Sequence, residues 1–128
     1  MMPQILIFAF DDWLGNQLRQ AAADHRWIIK ETKRLDAFRN AFAELRQRVI
    51  IIQLERTVAA EIYSVIVELR RSQPDSPIIM VSDTKVPEGE RAEWAARWFD
   101  LGASFALFPP LTRAILEDAV VGLMGNAQ

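Results

Sequence analysis

Cysteine is absent from this chain of 128 residues, which excludes disulfides, thiolate metal sites and a cysteine nucleophile. No apolar run approaches the roughly 20 residues of a membrane-spanning helix. The N-terminal stretch MMPQILIFAF has neither a basic leader nor a small-residue cleavage site. The net charge of −2 provides no global field for nucleic acid or an anionic membrane. We therefore expect a cytoplasmic protein that binds neither nucleic acid nor membranes.

Signals of enzymatic chemistry are also scarce. Histidine occurs once, at His25, with no second histidine or cysteine to complete a metal site. The acids Glu31 and Glu55 have no visible catalytic partner in the sequence. No glycine-rich phosphate-binding loop follows the first apolar run. The sequence thus favours a protein that is not an enzyme.

Short apolar runs alternate with amphipathic segments five times along the chain. The runs are Ile5–Phe10, Trp27–Glu31, Val49–Leu54, Ile78–Ser82 and Ser104–Phe108. The first, third and fourth are apolar at both alternating positions, which is typical of central strands covered on both faces. A strand followed by a helix five times predicts parallel pairing with right-handed crossovers. We expect one domain over residues 1–128, folded as a three-layer α/β/α sandwich.

Two stretches, SPIIMVSDT and LGASFALFPPLT, resemble the receiver domain of response regulators. Pro77–Ser82 match the family's fourth strand, and Gly102 and Ala103 match the pair that leads into its fifth. The resemblance implies the CheY-like (βα)5 flavodoxin-like fold, with a five-stranded parallel sheet in the order 2-1-3-4-5. It also implies a role in two-component signal transduction or a phosphorelay. The chain is then either a whole protein or one domain of a larger regulator.

Receivers use five side chains at the carboxyl ends of the strands: two acids that hold Mg²⁺, a phosphoacceptor Asp, a Thr or Ser, and a Lys. The resemblance assigns five residues of this chain to those positions, in that order: Ala9, Phe10, Gln53, Ser82 and Pro109. Ser82 alone matches, since a carboxamide cannot attack phosphorus and two apolar residues cannot bind a cation. We therefore predict a degenerate phosphorylation pocket with no catalytic residue, no metal, no Mg²⁺ and no other cofactor.

The adjacent carboxylates Asp11 and Asp12 leave an alternative open. With Leu14 and Leu18 on the buried stripe of the first helix, the two acids follow the metal positions and one of them caps the helix. In a register shifted by two residues, Asp11 and Asp12 are instead the metal pair of a phosphorylatable receiver.

The segment Glu88–Leu101 carries more apolar surface than one sheet face covers, because its polar side chains fill only one narrow arc of the helical wheel. The last helix is apolar nearly all round. Receivers often associate through the fourth helix, fifth strand and fifth helix, so the resemblance implies a protein partner or a homodimer at this face. The alternative is that the large rings pack at the margin of the core. The predicted contact residues are Trp94, Trp98, Leu101 and Val121.

Together these features predict an atypical receiver, or pseudo-receiver, that acts through protein–protein interaction without phosphorylation. A second hypothesis is a small-molecule-binding or enzymatic flavodoxin-like domain with a pocket at the carboxyl ends of the strands.

Overall fold

The computed structural model describes residues 3–44, 49–54, 59–82, 86–109 and 111–126. In these ranges five strands alternate with five helices. In chain order they are β1 Gln4–Phe8, α1 Trp13–His25, β2 Ile28–Thr32, α2 Leu35–Glu44, β3 Val49–Leu54, α3 Ala59–Ser72, β4 Ile78–Ser82, α4 Glu88–Asp100, β5 Phe105–Leu107 and α5 Arg113–Asn126.

The strands form one parallel sheet in the order β2-β1-β3-β4-β5. Every side chain of β3 and β4 is buried, whereas the edge strands β2 and β5 are largely exposed or half-buried. The predicted α/β/α sandwich and its strand order are confirmed. Strand β1 ends at Phe8, two residues before the predicted boundary, so Ala9 and Phe10 belong to the loop that follows.

Alternation of side chains along the strands divides the core between the two faces of the sheet. Ile5 and Ile7 of β1 pack with α1 and α5, while Leu6 and Phe8 pack with α2, α3 and α4. Each helix layer therefore covers its own apolar cluster. None of the helices in the described ranges is both long and apolar enough to cross a membrane.

Helix α4 turns its tryptophans toward the sheet. Trp98 is only 4% exposed and lies in the core, Trp94 packs edge-on against it at 6.1 Å, and Leu101 is half-buried beside the same cluster. The prediction that Trp98 lies on an exposed contact surface is wrong, and Trp94 and Leu101 contribute to the core as well. These three residues recur at i, i+4 and i+7, so they form a single stripe that the sheet buries. The exposed large apolar side chain of α4 is Phe99.

Burial of Trp98 leaves its indole Nε1 without a hydrogen-bond partner in the described part of the chain. An unmade hydrogen bond of this kind costs about 1–3 kcal/mol. A fully buried aromatic ring gains a comparable or larger free energy from its apolar area and its packing. Packing therefore determines which face of α4 meets the sheet.

Arg70, near the end of α3, joins chain segments that precede β4 and β5. Its guanidinium donates to the carbonyl oxygens of Ser76 at 2.7 Å, Gly102 at 2.7 Å and Leu101 at 3.3 Å. Burial lowers the pKa of Arg70, and the nearby Asp75 carboxylate opposes that change. The group stays protonated because arginine titrates far above neutral pH. One charged side chain thus satisfies several backbone carbonyls at the amino edge of the sheet.

We predict opposite effects for alanine at two glycines. Gly102 has φ +94°, and a Cβ there would lie 2.8 Å from Arg70 Nε, so Gly102→Ala should lower the free energy of unfolding by about 1–3 kcal/mol. Gly122 lies within α5, where a Cβ meets nothing within 4 Å, so Gly122→Ala should raise it by about 0.5–1 kcal/mol. Urea unfolding measures both. Changes of the same sign would contradict this account of the α4–β5 turn.

Candidate functional site

The candidate site is the carboxyl edge of the sheet, where β1, β3 and β4 end side by side. Phe8 pairs with Ile52, and Leu54 pairs with Ser82. In parallel α/β sheets the side chains that follow these strand ends meet in one place and form the usual ligand-binding region. The structure therefore brings the predicted site residues of these three strands to a common edge.

Gln53 fixes the geometry of this edge. Its side chain is buried, and its Oε1 accepts a hydrogen bond of 2.8 Å from the backbone N–H of Phe10. The carboxamide at the end of β3 is therefore tied to the loop between β1 and α1. A neutral carboxamide oxygen supplies neither a nucleophile for phosphorus nor a strong ligand for Mg²⁺.

Ala9 and Phe10 extend the apolar character of β1 into the following loop. Ala9 is buried, and its N–H donates to the Thr32 carbonyl at 3.0 Å. The ring of Phe10 is 36% exposed and packs edge-on against Phe8, with 5.5 Å between ring centroids. Phe8 in turn lies 5.7 Å from Phe38. Phe10, Phe8 and Phe38 thus form a row of aromatic rings from the site into the core. Neither Ala9 nor Phe10 carries a side-chain ligand for a cation.

The register of α1 agrees with the unshifted alternative. Leu14 and Leu18 are fully buried, together with Ala21 and Ala22, as the spacing predicts. A shift of two residues, which the metal-pair alternative needs, would move both leucines off the core. The side chains buried in α1 are those that the unshifted alternative predicts.

The two acids Asp11 and Asp12 make separate local contacts. Asp11 Oδ1 accepts the N–H of Trp13 at 3.0 Å. Asp12 occupies the N-cap position of α1 without a side-chain capping bond, and its carboxylate pairs with Lys33 Nζ at 2.8 Å. The predicted capping role is thus divided between the two acids. Asp12 holds the N-cap position, while the carboxylate of Asp11 accepts the N–H at the start of the helix. Both acids complement the positive end of the helix.

The ion pair shifts the titration of both of its members. The hydrogen bond and the charge of Lys33 lower the pKa of Asp12, and Asp12 raises the pKa of Lys33. Sequence motifs gave no sign of Lys33, since it lies after β2 and outside every motif. Its amine neutralises an acid at the rim of the site.

The ends of β4 and β5 complete the edge. Ser82 is the buried last residue of β4, and Pro109 is a half-buried residue just after β5, where its ring offers no amine. A cation that the sequence did not indicate lies nearby: Arg91 of α4 donates to the Val86 carbonyl at 3.0 Å, with its guanidinium 5.6 Å from the ring centroid of Phe108. Arg91 therefore serves as a packing and hydrogen-bonding group.

Two further features bear on binding. Within the described ranges, His, Cys, Asp and Glu form no group of three that could hold a metal ion, and Glu55 lies outside those ranges. A concavity between the end of α2 and the α3–β4 loop is lined by Phe42, Gln73 and Pro74 among others. It lies at the amino edge, opposite the location that the small-molecule hypothesis predicts.

Solved structures with this architecture include several response-regulator domains and an adenylate cyclase from Rhodopirellula baltica. The signal receiver domain of a putative LuxO repressor protein from Vibrio parahaemolyticus has a TM-score of 0.78 at 16% identity, over 99% of this chain and 93% of that one. A CheY-like receiver domain protein from Methanospirillum hungatei JF-1 has a TM-score of 0.76 at 12% identity, over 99% and 97%. This chain has the receiver fold.

An orphan response regulator of H. pylori shares the receiver fold at a TM-score of 0.74 and 12% identity, over 95% of this chain and 96% of that one. No family model and no curated protein matches the sequence. At these identities the likeness shows the fold alone, and the site must be interpreted from its own residues.

We predict that Lys33→Met raises the pKa of Asp12 toward its ordinary value of 3.8. The carboxyl carbon shift of Asp12, followed by NMR against pH, measures this. Because the folded pKa of Asp12 is depressed, the stabilisation from the ion pair is present above the ordinary pKa and is lost as pH falls through the lowered one. Lys30→Met is the matched control, since Lys30 does not perturb Asp12. An unchanged Asp12 titration in Lys33→Met would contradict the ion pair.

Proposed function

We propose that this protein is a pseudo-receiver, a signalling module that binds a protein partner and takes no phosphoryl group. The receiver fold supports a place in two-component signalling. The observation that carries the proposal is the hydrogen bond from the Phe10 N–H to Gln53 Oε1. Gln53 places a neutral amide at the position of the phosphoacceptor, and the oxygen of that amide is already bonded to the backbone of Phe10.

Four of the five receiver positions lack the side chain that phosphoryl transfer needs. The position of the nucleophile holds Gln53, and a carboxamide cannot attack phosphorus. The two metal-binding positions hold Ala9 and Phe10. A methyl group and a phenyl ring cannot bind the cation that would offset the developing charge. The position of the phosphate-binding lysine is Pro109. Ser82 remains, but a hydroxyl alone neither accepts nor holds a phosphoryl group under this scheme. We infer that the module is not an enzyme and does not depend on Mg²⁺.

The surface that remains for function is the α4–β5–α5 face, by which we mean the exposed side chains of those three elements. Four of the seven exposed large hydrophobic side chains in the described ranges belong to it. They are Phe99, Phe105, Ile115 and Val121. Exposed apolar side chains gathered at one edge are typical of protein contact surfaces. Of the contact residues expected from the sequence, Val121 belongs to this group, at 40% exposure.

Control of such a module has to come from binding. Without a phosphoryl switch, the populations of its conformations change only through partners that bind one conformation better than another. The concentration of the partner then sets the occupancy of the face.

We expect no phosphoryl adduct when the protein is incubated with Mg²⁺ and acetyl phosphate. Intact mass spectrometry would show a gain of about 80 Da for each phosphoryl group. Gln53→Asp should also stay unmodified, because the cation ligands and the lysine are still missing. A competent receiver in the same tube controls for an active phosphodonor. A gain of that mass on any aspartate of the wild type would overturn the proposal.

A further inference from the structure

The negative charge of this protein is concentrated in its last third. Residues 88–128 contain six acidic and three basic side chains, a net charge of −3, whereas residues 1–87 contain eleven acidic and twelve basic ones, a net charge of +1. Strand β5 carries no charge. The excess therefore lies on α4 and α5, the two helices of the α4–β5–α5 face.

Three acids of this face are available to a partner. Glu88 and Asp100 are exposed on α4, and Asp118 is exposed on α5. Across the described ranges none of the three forms an ion pair. Their charges are screened by solvent alone, so they act on a charged partner that approaches α4 or α5.

The basic side chains of the face are already engaged. Arg97 pairs with Glu93 at 3.8 Å, and Arg113 pairs with Glu117 at 2.7 Å, each one turn apart on its own helix. Arg91 donates to a backbone carbonyl and lies over an aromatic ring. Two of the three guanidinium charges are thus offset within their own helices, and the net charge of the face stays negative.

A second copy of the chain fits this face poorly. An isologous contact would bring the acidic face against itself, and like charges across an interface disfavour association. A basic partner has the complementary sign. The charge of the face therefore disfavours the homodimer expected from the sequence and favours a contact between unlike proteins.

We propose that the α4–β5–α5 face docks a basic amphipathic segment of a partner protein, with apolar side chains that cover Phe99 and Val121 and flanking Lys or Arg that meet the acids. The inference rests on the docking role proposed above and specifies the chemistry of the partner. Binding of this kind weakens with rising ionic strength, because the acids lie in solvent.

The experiment uses a labelled synthetic helix of about 18 leucine and lysine residues as the probe, a length sufficient for a helix to form. Fluorescence anisotropy follows its binding to the full chain at low and high salt. We expect salt-sensitive binding that Phe99→Glu weakens about tenfold or more, as for a central apolar anchor. Ile28→Glu is the matched control, since Ile28 is 44% exposed on β2 at the opposite edge. Circular dichroism checks that both variants fold.

Two controls refine the outcome. A leucine–glutamate helix of the same length should not bind, and Asp100→Asn with Asp118→Asn should reduce both the affinity and the salt dependence for the leucine–lysine helix. Equal binding of both helices, or binding that Phe99→Glu leaves unchanged, would overturn the inference.

Sedimentation separates this inference from the docking role itself. We expect the wild type to remain monomeric at low salt. A wild-type dimer that Phe99→Glu dissociates would keep the docking face and replace the basic partner with a second copy. If Phe99→Glu alters neither probe binding nor sedimentation, the docking role fails together with the inference.

Discussion

Burial of both faces of a five-stranded parallel sheet is the constraint on which the rest of this structure depends. The backbone groups of β1, β3 and β4 bond to neighbouring strands, and their apolar side chains pack against helices on both sides. The sheet itself can then meet a partner only along its rim, which consists of its edge strands and the loops at the strand ends. Both candidate surfaces, the carboxyl edge and the α4–β5–α5 face, lie on this rim.

Much of the fold follows from local patterns in the sequence. The apolar run Val49–Leu54 is long enough for a central strand and too short for a helix. The spacing of Leu14 and Leu18 predicted the buried stripe of α1 correctly, whereas the apolar run through Ala9 and Phe10 placed the end of β1 two residues too late. In each case the spacing of the apolar residues is compatible with only one buried arrangement of the element.

Periodicity alone does not determine which face of helix α4 is buried. Apolar residues cover about two-thirds of its wheel, while a sheet needs a stripe of little more than ~100°. Periodicity cannot choose between the stripe of Trp98 and that of Phe99, since adjacent residues point about 100° apart. The choice depends on the space left by the other helices of that layer. The sheet buries the larger rings.

The site was predictable in residue type and not in contacts. The sequence identifies Gln53 as a carboxamide at a strand end, but its bond to the Phe10 N–H joins residues 43 positions apart. Lys33 and Arg91 belong to no motif, and only the folded chain brings Lys33 to Asp12 and Arg91 to Phe108. Long-range polar contacts leave no periodic trace in a sequence.

Helix α4 is held at both ends by arginine. Arg91 of its first turn lies over the ring of Phe108, which follows β5, and Arg70 of α3 donates to the carbonyls of Leu101 and Gly102 after its last residue. Contacts with α3 and with the end of β5 restrict the orientation of the helix. Docking on such a helix costs less conformational entropy than ordering a loose segment would. Rigidity of this kind favours a surface that is ready to bind at all times.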